Sequence, residues 1–177
     1  MRQTRTEEFL EFAHGRTGQL FRSACLLTSG DRHLAEDLVQ ETLGRMYALW
    51  GRTGLFGRTA RIENPAAYAQ TVLVRTFLSH QRRRSAAERP VGELPESGHS
   101  PAARDDPALR VALLDALAEL PPKDRAVIVL RYWEDRSIEE TAQAMRVSSA
   151  AVRTRSTRAL ARLRERLGGS LVEYVSC

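Results

Sequence analysis

The chain has 177 residues, 42% of them apolar, and 27 basic against 22 acidic side chains, for a formal charge of +5. That apolar content supports a packed core and excludes a disordered tail, and the length suits one ordinary domain or two small ones. No apolar run reaches the ~18 residues of a membrane span, and Met1 to Glu8 are charged without the apolar segment of a signal peptide, so the expected location is cytoplasmic, with no membrane contact.

The basic residues are nearly all arginine, with Lys123 the single lysine. Codon bias in a GC-rich genome explains this as well as function does. Arginine forks also suit phosphates and guanine edges better than lysine, so clustering has to decide. Cys25 sits in an apolar stretch and reads as a small core residue; Cys177 ends the chain. There is no CxxC, and the four histidines (14, 33, 80 and 99) are scattered. The expectation is no metal site, no structural disulfide and no cofactor.

In chain order, residues 6–84 read as helices. The first runs Thr6 to Leu27, with Phe9, Phe12, Ala13, Leu20, Ala24 and Leu27 at three-to-four spacing. Gly15 and Gly18 weaken its middle and predict a bend. Gly30 ends it and Asp31 caps the next helix, Arg32 to Trp50. On that second helix Leu34, Leu38, Thr42, Met46 and Leu49 form one stripe, while Asp37, Gln40 and Glu41 fall off it. A basic, glycine-rich loop covers residues 51–64, with Arg52, Arg58 and Arg61. Asn64-Pro65 then opens a helix with proline at its first position, which ends in Arg82-Arg83-Arg84. Residues 85–106 contain Pro90, Pro95 and Pro101, few apolar side chains and an acidic end, and read as a flexible linker.

The second half starts at Pro107 with an amphipathic helix carrying Leu109, Leu113, Ala116, Leu117 and Leu120. Pro121-Pro122 breaks it, and a short apolar helix follows from Lys123 to Trp133. Ser137-Ile-Glu-Glu140 is a capping box. It opens a two-turn helix, Ile138 to Met145. A tight connection, Arg146-Val147, and a second capping serine, Ser148, precede a longer helix from Ser149 to about Leu167. Short helix, tight turn and longer helix make the helix-turn-helix layout.

Clustering of charge now decides the arginine question. Between Arg146 and Arg166 seven arginines stand against one glutamate, Glu165. Val152, Ala159, Leu160, Leu163 and Leu167 keep an apolar face on the same helix, so the arginines project outward beside Thr154, Ser156 and Thr157. An isolated basic helix is usually a solvated surface. The helix-turn-helix frame instead places this one where a recognition helix meets base edges. A second basic group, Arg75 with Arg82-Arg83-Arg84 near Phe77 and His80, suits either a charged helix end or a nucleic-acid backbone with stacking groups. The carboxylates Asp37 and Glu41, with Gln40, run against the trend and face solvent or a basic protein partner.

Asp37-Leu-Val-Gln-Glu-Thr-Leu43 resembles the "DLVQETF" segment of bacterial extracytoplasmic-function (ECF) sigma factors. Leu120-Pro-Pro-Lys-Asp-Arg-Ala-Val-Ile-Val-Leu-Arg-Tyr132 resembles their "LPxxxRxxxxLRY" segment, and Ser137 to Arg164 their closing helix-turn-helix. Asn64-Pro-Ala-Ala-Tyr68 and Leu78-Ser79…Arg82-Arg83-Arg84 are most similar to the SigE-like actinobacterial branch. The resemblance covers nearly the whole chain apart from the linker and tail, in order and spacing. It implies an all-α protein of two small helical domains joined by a flexible linker: a region-two bundle over residues 1–84 and a region-four domain over 107–177. Such a protein directs promoter-specific initiation and does no catalysis of its own.

The resemblance also implies partners and sites. Asp37, Gln40 and Glu41 would meet the clamp coiled coil of the polymerase β′ subunit, and the second domain would lie on the β flap. Arg58, Arg61, Asn64, Arg75, Ser79, His80, Arg82, Arg83 and Arg84 would contact and help open the −10 element, as single strands. Ser149, Arg153, Thr154, Thr157 and Arg158 would read the −35 element as duplex. An anti-sigma protein is a candidate further partner, and the bound chain would be nucleoid-associated.

Five departures stand out. Arg75 replaces a common Asn, Ser79 a common Asp and His80 a frequent aromatic. Arg146 stands where the helix-turn-helix turn usually has glycine, which would cost about 1 kcal/mol if φ is positive there; the alternative is a turn of different shape. Met145 for the usual Leu is a tolerable swap. Two other readings stay open from the residues: a stand-alone helix-turn-helix regulator that binds duplex DNA as a dimer, and a polymerase-binding adaptor without melting activity.

Overall fold

Where the helices begin and end follows from a few polar side chains. In a computed structural model that describes residues 2–52, 64–87 and 107–168, Asp31 accepts from the Leu34 amide at 3.0 Å and opens the second helix. Asn64 does the same for the third through the Ala67 amide at 3.0 Å. Each side chain satisfies one of the amides that a helix start leaves without a partner. The helices so bounded are α1 (Arg2–Leu27), α2 (Arg32–Arg52), α3 (Pro65–Ala87), α4 (Pro107–Ala118), α5 (Pro122–Ile128), α6 (Ile138–Met145) and α7 (Ser149–Leu167). Between α5 and α6 lies a π-helical turn, Val129–Trp133. There is no strand among the described residues. The all-α expectation therefore holds.

Four details differ from the sequence reading. α1 passes Gly15 and Gly18 as one helix, because neither position needs a special backbone angle and both face open space or a flexible arginine. α3 runs three residues into the segment read as linker, since Ser85, Ala86 and Ala87 contain no breaker. α4 stops at Ala118 rather than Leu120. The helix expected from Lys123 to Trp133 instead widens after Ile128, where the Glu134 amide bonds to the Val129 carbonyl at 3.0 Å. The linker from residue 88, most of the loop of residues 51–64 and the tail from 169 lie outside the described residues.

In the first half α1, α2 and α3 pack together around Leu20, Leu27, Leu38, Met46, Leu73 and Phe77, all fully buried. Burying each such side chain contributes about 1.5–3 kcal/mol. Phe9, Phe12, Tyr47 and Trp50 close one end of the α1–α2 pair, with ring centroids 5.1–6.3 Å apart. In the second half α5 and α6 pack on α7 through Val127, Leu130, Ala142, Val152, Ala159 and Leu163. The two halves also touch. α1 meets α4, α5 and the π-helical turn, and α3 meets α5 and α6. The buried apolar residues of both halves form one continuous cluster.

The helix-turn-helix is built as its sequence suggests. Ser137 accepts from the Glu140 amide at 3.0 Å, and the Glu140 carboxylate accepts from the Ser137 amide at 2.8 Å. Hydrogen bonding of the carboxylate to the Ser137 amide, and then to the Ser137 hydroxyl, lowers the Glu140 pKa from its ordinary value. α6 ends in a reciprocal pair: Val147 N–H to the Ala142 carbonyl at 3.0 Å and Arg146 N–H to the Gln143 carbonyl at 3.3 Å. Arg146 sits at φ 56°, ψ 48°, in the left-handed region. The turn thus keeps the shape that glycine normally serves, and arginine bears the strain of it.

Arg146→Gly should accordingly raise the unfolding free energy by about 1 kcal/mol, read from denaturant midpoints. A loss of stability would show that the left-handed angle is not strained.

Candidate functional site

Three surfaces carry the candidate residues. On α2, Asp37 and Gln40 are exposed and Glu41 is half-buried. Glu41 accepts from Arg45 one turn on, at 2.6 Å. An exposed pair of this kind is worth only a few tenths of a kcal/mol, so it does not withhold the carboxylate. The stripe extends beyond what the sequence reading marked. Gly44 follows on the same face with nothing within 4 Å of a built Cβ, and Tyr47 is 51% exposed. This face therefore begins acidic, is flat at Gly44 and ends aromatic. The helical spacing 37, 40/41, 44, 47 was legible in the sequence, but the marked stripe stopped at Asp37, Gln40 and Glu41.

On α3 the described candidates separate. Asn64 is exposed and spent as a helix cap. Arg82, Arg83 and Arg84 are exposed at the helix end, and Ser79 and His80 are half-buried. Arg75 points at the other half of the chain. Its Nε donates to the Ala144 carbonyl at 2.7 Å and its Nη2 to the Gln143 carbonyl at 3.0 Å. Burial, and then the nearby Arg146 charge, lower its pKa from the ordinary arginine value. Arg58 and Arg61 lie outside the described residues.

On α7 the buried side is Val152, Ser156, Ala159 and Leu163. Arg153, Thr154 and Thr157 are exposed on the opposite side and Ser149 is half-buried. The two threonine hydroxyls donate back to the carbonyls of Ala150 and Arg153, each at 3.1 Å. Their oxygens remain able to accept. Arg153 stands 3.7 Å from Glu139 in an exposed, loose pair.

Arg158 is not the free fork that its position suggests. Asp124, fully buried on α5, accepts from Arg158 Nε and Nη2, each at 3.0 Å, and from Arg155 Nη1 at 2.8 Å. A buried carboxylate needs such partners, and the two arginines supply them from one face of α7. The bidentate fork fixes the roll of α7 on α5. It leaves Arg153, Thr154 and Thr157 as the outward set. Asp124 escaped the sequence reading because its partners lie 31 and 34 residues further along the chain.

Arg125, Glu134 and Arg136 were also missed. Arg125 is buried, and its pKa falls to about 10 through that burial. It donates to the carbonyls of Leu27 at 2.7 Å, Leu120 at 3.1 Å and Ala118 at 3.2 Å. Glu134 accepts from Gln19 at 2.9 Å and from Ser23. Arg136 donates to the Thr71 hydroxyl at 3.0 Å and to the Ala67 carbonyl.

Comparison with known proteins fits this geometry. The family description "Sigma-70, region 4" matches residues 110–163, the span from α4 to α7. The chain is 40% identical over 160 residues to RNA polymerase sigma-E factor of Streptomyces coelicolor, covering 90% of this chain and 86% of that one. It is 37% identical to RNA polymerase sigma-E factor of Streptomyces antibioticus, covering 94% and 88%. ECF RNA polymerase sigma factor SigL of Mycobacterium tuberculosis is 34% identical, with 82% and 80% covered. Among solved structures, the sigma factor RpoE of Bartonella quintana, in complex with the anti-sigma factor NepR, shares the fold. Its TM-score is 0.72 at 24% identity, over 92% of this chain and 98% of that one.

Two substitutions separate the roles of the α7 arginines. Arg158→Ala should lower stability by about 1.5–3 kcal/mol, the range for a hydrogen bond to a charged group. Arg153→Ala should leave stability within about 0.5 kcal/mol. Equal melting temperatures for the two variants would contradict the Asp124 assignment.

Proposed function

Because the chain belongs to the ECF group of RNA polymerase sigma factors, which serve transcription initiation, we propose that it brings core polymerase to promoters with a −35 and a −10 element and helps melt the second. Residues 1–84 form the unit that binds core and engages the −10 element, 85–106 the linker, and 107–177 the unit that reads the −35 element. The polymerase performs the chemistry, in the cytoplasm. An anti-sigma protein is a further partner on family grounds.

The observation that carries this reading is the opposition of two exposed faces. The α2 face, Asp37 to Tyr47, is acidic and then aromatic, and suits a basic protein surface such as the β′ clamp coiled coil. The outward α7 set of Ser149, Arg153, Thr154 and Thr157 suits base edges and phosphates in a major groove. A dimeric regulator has no use for the first face. An adaptor without melting activity leaves unused the arginines that end α3. Arg82, Arg83 and Arg84 suit the phosphates of an opened strand, and unpairing costs a few kcal/mol that such contacts must offset.

Purified core polymerase with this chain should start transcripts from a non-palindromic, two-element promoter in genomic run-off assays. Absence of any start site, or a palindromic footprint without polymerase, would overturn the reading. Asp37→Arg with Glu41→Arg should weaken core binding at least tenfold, while the full-length variant still binds −35 duplex. Arg153→Ala should weaken that duplex binding and reduce its log–log salt slope by about 1 if the guanidinium meets a phosphate. An unchanged slope together with a lost base preference would assign it to a base instead.

A further inference from the structure

The outward side of α7 is neutral along its middle and basic on both flanks. Ala150, Thr154, Thr157 and Ala161 are exposed at three-to-four spacing and carry no charge. One flank faces α6, where Arg153 stands near Glu139. The other faces α5 and carries Arg155, Arg158 and Arg162, again at three-to-four spacing. Lys123, the single lysine of the chain, is exposed on α5 one residue before Asp124. Asp124 is the carboxylate that holds Arg155 and Arg158, so Lys123 joins the second flank and not the first.

Charge on this flank is not cancelled. Asp124 is fully buried, and the two guanidiniums take up both its oxygens. Glu119, the acid on α4's side of α7, is paired with Arg166. Neither Lys123 nor Arg162 has an ion-pair partner among the described residues. Four cations thus stand against one carboxylate. Their donors are also unspent. A guanidinium has five N–H donors, and Asp124 engages only Nε and Nη2 of Arg158 and Nη1 of Arg155. The Arg158 side chain is 48% exposed and that of Arg155 26%, so both forks still open outward. The shared carboxylate pins them and offsets the repulsion between two like charges.

A run of phosphodiesters matches this chemistry. From Arg155 to Arg162 the flank extends about 10 Å at 1.5 Å per residue, comparable with about two or three phosphates of one strand. It borders the neutral strip of short side chains, which suits the floor of a major groove. A docked protein needs other features. Protein interfaces centre on aromatic and large apolar anchors. The large apolar side chains exposed among the described residues are Leu10 and Tyr47, on α1 and α2.

We propose that Lys123, Arg155, Arg158 and Arg162 form a phosphate-binding ridge that holds one strand of the duplex beneath α7. Asp124 is the positioning residue for its central fork. The ridge rests on the promoter-recognition reading for which duplex is bound, but it takes phosphates of any sequence. Lys123 grips the strand from a second helix, which limits the tilt of α7 in the groove.

The test titrates the full-length chain on two labelled duplexes from about 50 to about 200 mM salt. One has random sequence; the other carries an upstream element mapped by run-off transcription. Lys123→Gln with Arg162→Gln removes two exposed cations and no ion pair among the described residues. It should weaken binding to both duplexes at least about tenfold at the low-salt end, and reduce the log–log salt slope by about 2. Lys123→Arg with Arg162→Lys keeps the charges and should keep the slope. Both double variants should melt with the wild type. A folded Gln variant with an unchanged slope overturns the ridge, and the promoter reading stands if the mapped duplex is still preferred. A reduced slope on random duplex, with no promoter found by run-off, supports the ridge and fails the promoter reading. A wild type that binds neither duplex overturns the ridge. Acetylation of Lys123 by an active ester, followed on its peptide, tests the occupant. Duplex should protect this amine; protection by core polymerase alone, with none by duplex, overturns the phosphate assignment in favour of a protein surface.

Discussion

Two helix ends in this protein are completed by an arginine from the far half of the chain. A helix leaves its last carbonyls without amide partners and gathers partial negative charge there. Arg125 meets that need for α1 at Leu27, and Arg75 meets it for α6 at Gln143 and Ala144. The constraint shapes much of the rest. Arg125 is drawn into the interior at the cost of a lowered pKa, and α3 is held against the start of the helix-turn-helix. The two halves also share one apolar cluster.

Charge is divided accordingly. The whole-chain excess of +5 is the remainder after an acidic α2 face is set against basic faces at the end of α3 and along α7. Within the basic set the arginines differ in kind. Arg155 and Arg158 fix α7 to Asp124, whereas Arg153 is loose and outward. A recognition helix needs both sorts, because a reading side chain is specific only when the helix beneath it cannot roll.

Local signals were legible in the sequence. Ser137, Glu140 and Ser148 bounded α6 and α7 correctly because a cap is a bond between residues three apart. Asp31 and Asn64 did so for α2 and α3. The sequence marked Arg146 as standing at a usual glycine position but left open whether the turn kept its left-handed angle or changed shape; the angle is left-handed, φ 56°. Long-range pairs left no such trace. Nothing in the spacing ties Asp124 to Arg158, Arg75 to Ala144 or Glu134 to Ser23, as each depends on how helices dock. The outward position of Arg158 was visible and its buried partner was not, so it was grouped with the readers. The π-helical turn at Val129–Trp133 had no marker either, since glycine and proline are both absent there.

The central claim is that this chain presents separate faces to polymerase and to two promoter elements, with α3 at the −10 element and α7 at the −35 element. Hydroxyl-radical footprinting of the polymerase–promoter complex formed with this chain tests it most directly, with the chain carrying a tethered cleavage probe on α3 or on α7. The account predicts two separate cleavage sites, about 25 base pairs apart and one for each probe, with the α3 site on unpaired bases. Cleavage from both probes within a single helical turn would contradict it, because the two helices would then share one element.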